Sequence, residues 1–336
     1  VHGVGINGDG SHVGYTCVSE VYPDGSMSVY RFSAYSDPGC NDIPGLVMTA
    51  GIKLFFPYNS YAFRRGSLLW RKDYASDGRL VKNTEYEYKE INRISVLNYK
   101  QIYTINEGIQ YLDNYRYCVL LDQRIPSRET VTEYDDYGAE HVTVSTMSYN
   151  KNYNILKRVE QTTNGKYRTA VDYTYPFDQY ETSAVSKKMV DNFILGNVIV
   201  ESHRRYEDDA WIVTDRTENV YTADNLVAPS EVRYAKGVSS VPLTTSYSYG
   251  KYYTPVSSKL SGNSGQTVYV WGYAHNYIVA AINNATVDEV SAVIGDLDSF
   301  AATRIPDYGK LSRLQPALPG SLVTIYKYNP GTGMTE

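Results

Sequence analysis

The sequence predicts a mainly β protein: an antiparallel array of hairpins that forms an open or partly curled sheet, with one or two short helices. Tyrosine is the first reason, because the 336 residues include 35 Tyr against 7 Phe. A Tyr ring packs on a strand while its hydroxyl stays in water, which suits a sheet with a solvated face. The second reason is a recurring alternation of polar and apolar residues, interrupted by tight turns at the spacing of antiparallel hairpins.

Five turns that contain glycine divide the alternating segments into hairpins. These turns lie at 23–25, 76–78, 136–138, 163–165 and 262–265. At the first turn Pro23 fixes φ, Asp24 offers an acceptor to the turn backbone, and Gly25 tolerates a positive φ. The segments beside the turns are therefore expected to be strands, at 13–22, 27–32, 68–74, 79–88, 129–134, 141–149, 154–160, 170–175, 256–260 and 267–271.

Pairs of tyrosines two residues apart occur at four places along these segments. The pairs are Tyr86/Tyr88, Tyr173/Tyr175, Tyr247/Tyr249 and Tyr326/Tyr328. Because side chains alternate between faces with a period of two, both rings of a pair should lie on the same face of the sheet. Neighbouring hairpins would align such pairs into tyrosine ladders.

Helix is predicted in two short segments. At 285–294, Thr286 is expected to be the N-cap, Glu289 completes a capping box and Gly295 ends the helix. Its apolar residues share one face, which is expected to pack on the sheet. A second helix is predicted at 186–193. No change in composition marks a linker, so a single continuous unit is expected, with an N-terminal hairpin region (1–60), a β array (61–283) and a helical excursion with a return strand (284–336).

Composition excludes several classes of function. The net charge of -5 argues against a nucleic-acid partner, because such proteins carry a basic excess. No apolar run approaches the roughly 18 residues of a membrane span. The three Cys lack CxxC spacing, which argues against zinc, and they are expected to be small buried apolar residues. No cofactor or metal is predicted.

No catalytic residue is predicted either. The five His residues have no HExxH spacing and none lies beside a GxSxG turn. Carboxylates cluster near Asp135 and Asp136, and a hydrolase that uses such turn carboxylates is one alternative. Turn propensity explains the cluster more simply.

Exposed aromatic rings provide another alternative, a polysaccharide-binding module. Trp211, Tyr269, Trp271 and Tyr273 are the candidate binding residues, because flat rings stack on the apolar faces of sugars. The competing interpretation is that these rings pack against neighbouring strands.

Two turns match a known repeat motif. The segment Tyr134-Asp135-Asp136-Tyr137-Gly138 contains a Tyr-Asp-x-x-Gly core, and Tyr74, Gly78, Arg79 and Leu80 match Tyr-x-x-x-Gly-Arg-Leu, with Ala75 where the motif has Asp. With the Tyr-x-Tyr strands, these motifs make the chain resemble the amino-terminal region of Rhs/YD-repeat-like surface proteins of Gram-negative gut anaerobes.

The resemblance implies a non-enzymatic structural or interaction scaffold with antiparallel YD-type sheets, located at the cell surface, in the periplasm or outside the cell. Its implied partners are an envelope or extracellular protein, a polysaccharide, and further repeats of its own full-length chain, which is expected to continue past Glu336. The chain has no counterpart of the aspartyl autoproteolysis motif of Rhs proteins, so a closed shell and self-cleavage are not expected.

Overall fold

The computed structural model describes residues 14–49, 58–106, 109–237, 241–263, 265–329 and 333–335. The protein is mainly β, with 52% strand, open antiparallel pairing and a few short helices. This confirms the predicted fold class. The chain forms two compact units, Val1–Ala170 and Val171–Glu336. The predicted division at residues 60 and 283 stays a prediction. Among the helices of the described segments, none is long and apolar enough to cross a membrane.

The described residues of the first unit form ten strands and a 3-10 helix at Ala62–Arg64. The strands are β1 (Cys17–Val21), β2 (Met27–Phe32), β3 (Ile43–Pro44), β4 (Leu46–Thr49), β5 (Tyr58–Asn59), β6 (Leu68–Tyr74), β7 (Leu80–Asn106), β8 (Ile109–Tyr134), β9 (Glu140–Tyr149) and β10 (Leu156–Thr163). Antiparallel pairing runs β1–β2–β6–β7–β8–β9–β10. The first three predicted turns therefore join paired strands.

The hairpin formed by β7 and β8 is much longer than its neighbours. Its strands pair from Lys82↔Glu133 to Asn106↔Ile109. The pairing of β6 on β7 ends at Glu85, and the pairing of β9 on β8 reaches only Arg128. We call residues 94–106 and 109–121 the arm. On the arm, β4 pairs with β8 near Tyr115.

The sequence prediction of these two strands was too short, since it ended one at Tyr88 and began the other at Glu129. The arm has apolar residues at both odd and even positions, including Leu97 beside Val96. A strand that packs one face on a core shows a strict period of two, and the arm departs from that pattern. Its length was therefore not visible in the alternation.

The three cysteines differ in their exposure to solvent. Cys40 is buried and Cys118 is half-buried, whereas Cys17 is exposed; all three are free thiols. The expectation that all three are buried was therefore wrong for Cys17. The reason is its position on β1, where all five residues are exposed.

Eight complete strands lie in the part of the second unit that the structure describes, and strand β11 (Tyr167–Thr174) includes the boundary between the units. The strands are β12 (Val200–Glu207), β13 (Ala210–Val220), β14 (Glu231–Lys236), β15 (Leu243–Tyr249), β16 (Pro255–Leu260), β17 (Thr267–Gly272), β18 (Tyr277–Asn283) and β19 (Leu322–Ile325). Each strand from β12 to β18 pairs antiparallel with the next one along the chain.

The described segments of this unit also contain five α-helices and a 3-10 helix at Pro176–Gln179. The α-helices are α1 (Ala184–Asp191), α2 (Val287–Ile294), α3 (Leu297–Ala301), α4 (Tyr308–Leu311) and α5 (Leu314–Ala317). The prediction of α2 is confirmed, including its Thr286 N-cap, the capping box with Glu289 and the end at Gly295. Helix α1 begins two residues before the predicted start, with Ser183 as its N-cap.

The main apolar core lies between the last strands and the helices that follow them. Its buried residues are Val268, Val270, Val279, Ala280, Ile282, Ala285, Val290, Ile294, Phe300, Leu311 and Leu314. The alternating burial of β17 supplies Val268 and Val270, and α2 contributes Val290 and Ile294. The apolar face of α2 therefore packs into this core, as its helical spacing predicted.

Candidate functional site

Three hairpin turns of the first unit have the same backbone geometry. In each, the first residue donates its N–H to the carbonyl of the fifth, and the fourth donates back to the first, at 2.9–3.1 Å. The fourth residue is Gly25, Gly78 or Gly138, with φ of 85°, 83° and 78°. This is a three-residue connection closed by a left-handed residue, which glycine adopts without steric cost. The three glycines are therefore required by the turn.

The motif carboxylate Asp135 holds its own turn together. Its Oδ1 accepts from the backbone N–H groups of Tyr137 at 2.9 Å and Ala139 at 2.8 Å. The flanking Tyr134 pairs with Glu140 across the hairpin. Across the turn between β6 and β7, Tyr74 pairs with Leu80 in the same way.

Arg79 joins the two YD-type turns. Its guanidinium donates to the Asp135 carbonyl at 3.2 Å and to Asp136 Oδ1 at 3.0 Å. The Asp136 carboxylate is 88% exposed. An exposed ion pair of this kind contributes little energy, so its main effect is to position one turn against the next. The structure thus brings the predicted motif residues together as a turn framework and leaves Asp136 on the surface rather than in a cleft.

The four candidate sugar-binding residues do not form one platform. Trp211 lies on β13, whereas Tyr269 and Trp271 lie on β17, four strands further along the pairing order. At about 4.8 Å between strands, that separation is roughly 19 Å within a sheet. Trp211 contacts Tyr206 edge to face, with ring centroids 5.3 Å apart.

The polar groups of the other three rings are used in packing. The Trp271 indole N–H donates to the Pro255 carbonyl at 2.8 Å, and the Tyr269 and Ser258 hydroxyls lie 3.0 Å apart. The Tyr273 hydroxyl lies 3.1 Å from that of Tyr308. These contacts favour the packing interpretation of these residues, and carbohydrate binding stays a prediction.

A recurring aromatic contact was not anticipated from the sequence. In each case an aromatic side chain of one strand donates a hydrogen bond to a backbone carbonyl on, or just before, the neighbouring strand. The pairs are Tyr88 with Leu68, Tyr149 with Pro126, Tyr249 with Pro229 and Trp271 with Pro255, at 2.7–2.8 Å. In three of the four the acceptor is a proline that precedes the ring by 16 to 23 residues. That Pro–aromatic spacing is the sequence signal that could have identified these contacts.

Burial accompanies this contact. It raises the pKa of the Tyr88, Tyr149 and Tyr249 hydroxyls above the ordinary phenol value. A phenol in this position is held neutral, which keeps its proton available for the carbonyl. Tyr88, Tyr149 and Tyr249 therefore act as polar fasteners between adjacent strands.

Replacing Tyr249 with Phe is expected to lower the free energy of unfolding by about 1 kcal/mol, because the bond to Pro229 is lost and that carbonyl is left unpaired. The matched control is Tyr247→Phe. Tyr247 stacks on Tyr249 with centroids 6.2 Å apart, and its hydroxyl has no hydrogen bond within the described residues. Urea unfolding of Tyr247→Phe should show a change near zero in the free energy of unfolding. Equal losses in the two variants would contradict the fastener role.

One shallow depression lies at the start of α2. It has a volume of about 470 Å³, and its lining includes Lys259, Asn284, Thr286, Glu289 and Ser321. The Glu289 carboxylate accepts from the Thr286 backbone N–H, which lowers the pKa of that carboxyl. The helix N-terminus is thus already occupied by its own capping residue, so the depression offers no open anion site.

Metal ligation has no geometric support in the described parts of the chain, where no three His, Cys, Asp or Glu side chains lie close enough to share an ion. The closest His–carboxylate contact of the described residues joins His203 Nε2 to Glu201 Oε1 at 2.8 Å, on strand β12. His275 Nε2 lies 3.8 Å from Asp298 Oδ1, and its ring is edge-on to Tyr252. A comparison with family models finds no match to this chain, and a search of curated proteins finds no similar sequence.

Proposed function

We propose that this chain is a non-enzymatic structural and interaction scaffold of the YD-repeat type, displayed at the cell surface, in the periplasm or outside the cell. The observation that carries the proposal is the framework of Arg79, Asp135 and Gly138, in which the residues of the repeat motif bind the turns and one another. In an enzyme we would expect such residues to converge on a cleft. Here they brace successive hairpins.

The aromatic contacts support the same proposal. Tyr88, Tyr149, Tyr249 and Trp271 each fasten one strand to the next through a single hydrogen bond. A repeated bond of this type joins neighbouring strands of an open sheet, which suits a scaffold that presents its surface to other molecules. The proposed partners are an envelope or extracellular protein, a polysaccharide, and further repeats of the same full-length chain.

Two variants of Asp135 separate a scaffold from a hydrolase. Asp135→Asn keeps the Oδ1 acceptor and removes the acid, whereas Asp135→Ala removes both. For a scaffold, we expect the Asn variant to match the wild type in stability. We expect the Ala variant to lose about 1 kcal/mol, because two turn N–H groups lose their acceptor.

The same proteins should be assayed on a panel of glycosidic and peptide substrates. We expect no turnover by the wild type or by either variant. Turnover by the wild type that disappears in Asp135→Asn, with folding retained, would establish a hydrolase and overturn the scaffold proposal.

A further inference from the structure

The arm has an open strand edge. On the side of β7 away from β8, the strand pairing of the described residues ends at Glu85, where β6 stops. From Ile91 to Ile105 the backbone N–H and C=O groups on that side have no strand partner in the described segments. A stretch of this length spans about 50 Å. Such an edge is a template for pairing with another strand.

Nothing in the arm's sequence protects this edge. Between residues 94 and 105 there is no proline and one charged residue, Lys100. The irregular step in the β7–β8 register lies between Ile91 and Ile94, at the base of the arm, and pairing beyond it is regular. Natural edges are usually blocked by proline, by inward-pointing charges or by bulges. The arm lacks these devices over its regular part.

Large apolar side chains are exposed on both faces of the arm. They are Ile94, Val96, Leu97, Tyr99, Tyr103, Ile105, Ile109 and Leu112, with exposed fractions of 39–66%. A partner packed on one face would leave the opposite face in water. A strand added at the edge extends both faces at once, which covers part of each.

We propose that two copies of this chain associate by antiparallel pairing of their β7 edges, about a two-fold axis at Asn98. A second copy is the favoured occupant because the edge is self-complementary. Residues directly opposite each other in an antiparallel pair lie on the same face of the sheet. A two-fold axis normal to the sheet must therefore pass between the two copies of one residue, which lie opposite each other. This restricts the register to a few choices.

The possible registers differ in which side chains lie opposite each other. An axis at Lys100 would set two ammonium groups face to face, and an axis at Tyr99 would put Leu97 opposite Gln101. The axis at Asn98 pairs Leu97 with Tyr99 and Ser95 with Gln101. On the face that carries these four side chains, apolar residues then face apolar ones and polar residues face polar ones, which is the arrangement that stabilises cross-strand pairs.

Charge also favours the axis at Asn98. Each Lys100 lies opposite Val96, which its aliphatic stem can cover. The two Lys100 residues are then four positions apart along the strand, or about 14 Å. That distance exceeds the screening length at physiological ionic strength. The register therefore brings no like charges together.

Charged substitutions at Leu97 and Tyr99 test both the association and its register. In the proposed dimer, Leu97 of one copy faces Tyr99 of the other at two symmetric places. Leu97→Glu alone and Tyr99→Lys alone should each weaken association at least about tenfold, because each removes the Leu97–Tyr99 contact at both symmetric places. An equimolar mixture should restore a heterodimer, because glutamate then faces lysine at one place and the native Tyr–Leu pair remains at the other.

Sedimentation equilibrium over a range of concentrations, with native mass spectrometry to identify heterodimers, measures these outcomes. The control mixture combines Leu97→Glu with Gln101→Lys, whose charges are not opposite in the proposed register and should not restore the dimer. Circular dichroism confirms that the exposed substitutions leave the fold intact. A wild type that stays monomeric at the highest concentration, single variants that dimerise like the wild type, or equal rescue by the control mixture would each overturn the proposal.

Discussion

Replacing Ile282 with alanine is expected to lower the free energy of unfolding by about 2–5 kcal/mol, the range measured for large-to-small changes in packed cores. Ile282 is fully buried on β18. It lies between Val268 of β17 and Val323 of β19 in the strand pairing. Removing its side chain leaves a cavity between strands that neighbouring backbone hydrogen bonds hold in place, so the site can collapse only partly.

The control for this prediction lies on the adjacent strand. Leu322 of β19 pairs opposite Asn283 and is 65% exposed. Leu322→Ala should cost less than about 1 kcal/mol, because little apolar surface returns to water. Urea unfolding of the two variants, followed by circular dichroism, measures the difference. If both variants lost the same stability, the core would not lie between these strands and the helices.

Of the elements that form this core, the sequence predicted helix α2, because α2 has strong local signals. Helix α2 has an N-cap, a capping box, an apolar face and a terminal glycine, and each was found at the expected residue. The helices α3, α4 and α5 contain only four or five residues each. A segment of about one turn cannot display helical periodicity, so sequence alone could not distinguish these helices from turns.

In the hairpins, too, the features with a local sequence signal were predicted. The turns at Gly25, Gly78 and Gly138 were predicted because a left-handed position selects glycine. The length of the β7–β8 hairpin was missed because β6 and β9 end short of the arm, and apolar residues stand at both odd and even positions of β7 there. Strand register and turn position are local properties, whereas the extent of a strand depends on what packs beside it.

For the candidate site, the sequence identified the residues of the repeat motif but not their contacts. Asp135 and Arg79 were chosen by motif, and the structure shows that they bind the turns. The aromatic candidates were chosen by residue type. Whether a ring such as Trp271 faces solvent or donates to Pro255 depends on a carbonyl contributed by another strand. Composition carries no information about that partner.

The buried tyrosines make a further prediction, concerning alkaline pH. Burial is the largest cause of the raised pKa of Tyr86, Tyr88, Tyr149, Tyr173, Tyr175, Tyr221 and Tyr249. An unfolded phenol has a pKa of about 10. Below that pH both states are protonated, and the tyrosines place no pH dependence on stability. Above it the unfolded chain binds fewer protons than the folded one, so stability must fall as pH rises.

The fall should be steep because several phenols act together. Each proton kept only by the folded state contributes a slope of at most about 1.4 kcal/mol per pH unit. Ionisation of Tyr88, Tyr149 or Tyr249 also removes a hydrogen-bond donor and sets a phenolate against a carbonyl oxygen. We therefore expect cooperative unfolding above about pH 10, as pH passes through the raised pKa values.

Two measurements check this expectation. Urea midpoints should be level from about pH 8 to pH 10 and then fall, and phenolate absorbance should show a group of tyrosines that titrates only as the protein unfolds. In Tyr249→Phe the free energy of unfolding should fall less steeply with pH above pH 10, by an amount that corresponds to at most one proton. The variant should nevertheless be less stable than the wild type at neutral pH. That combination separates ionisation from simple loss of packing, which would shift the whole curve without changing its slope. A stability that stayed level beyond the raised pKa values would mean that these phenols reach solvent in the folded protein, and the tyrosine contacts would then not fasten the strands.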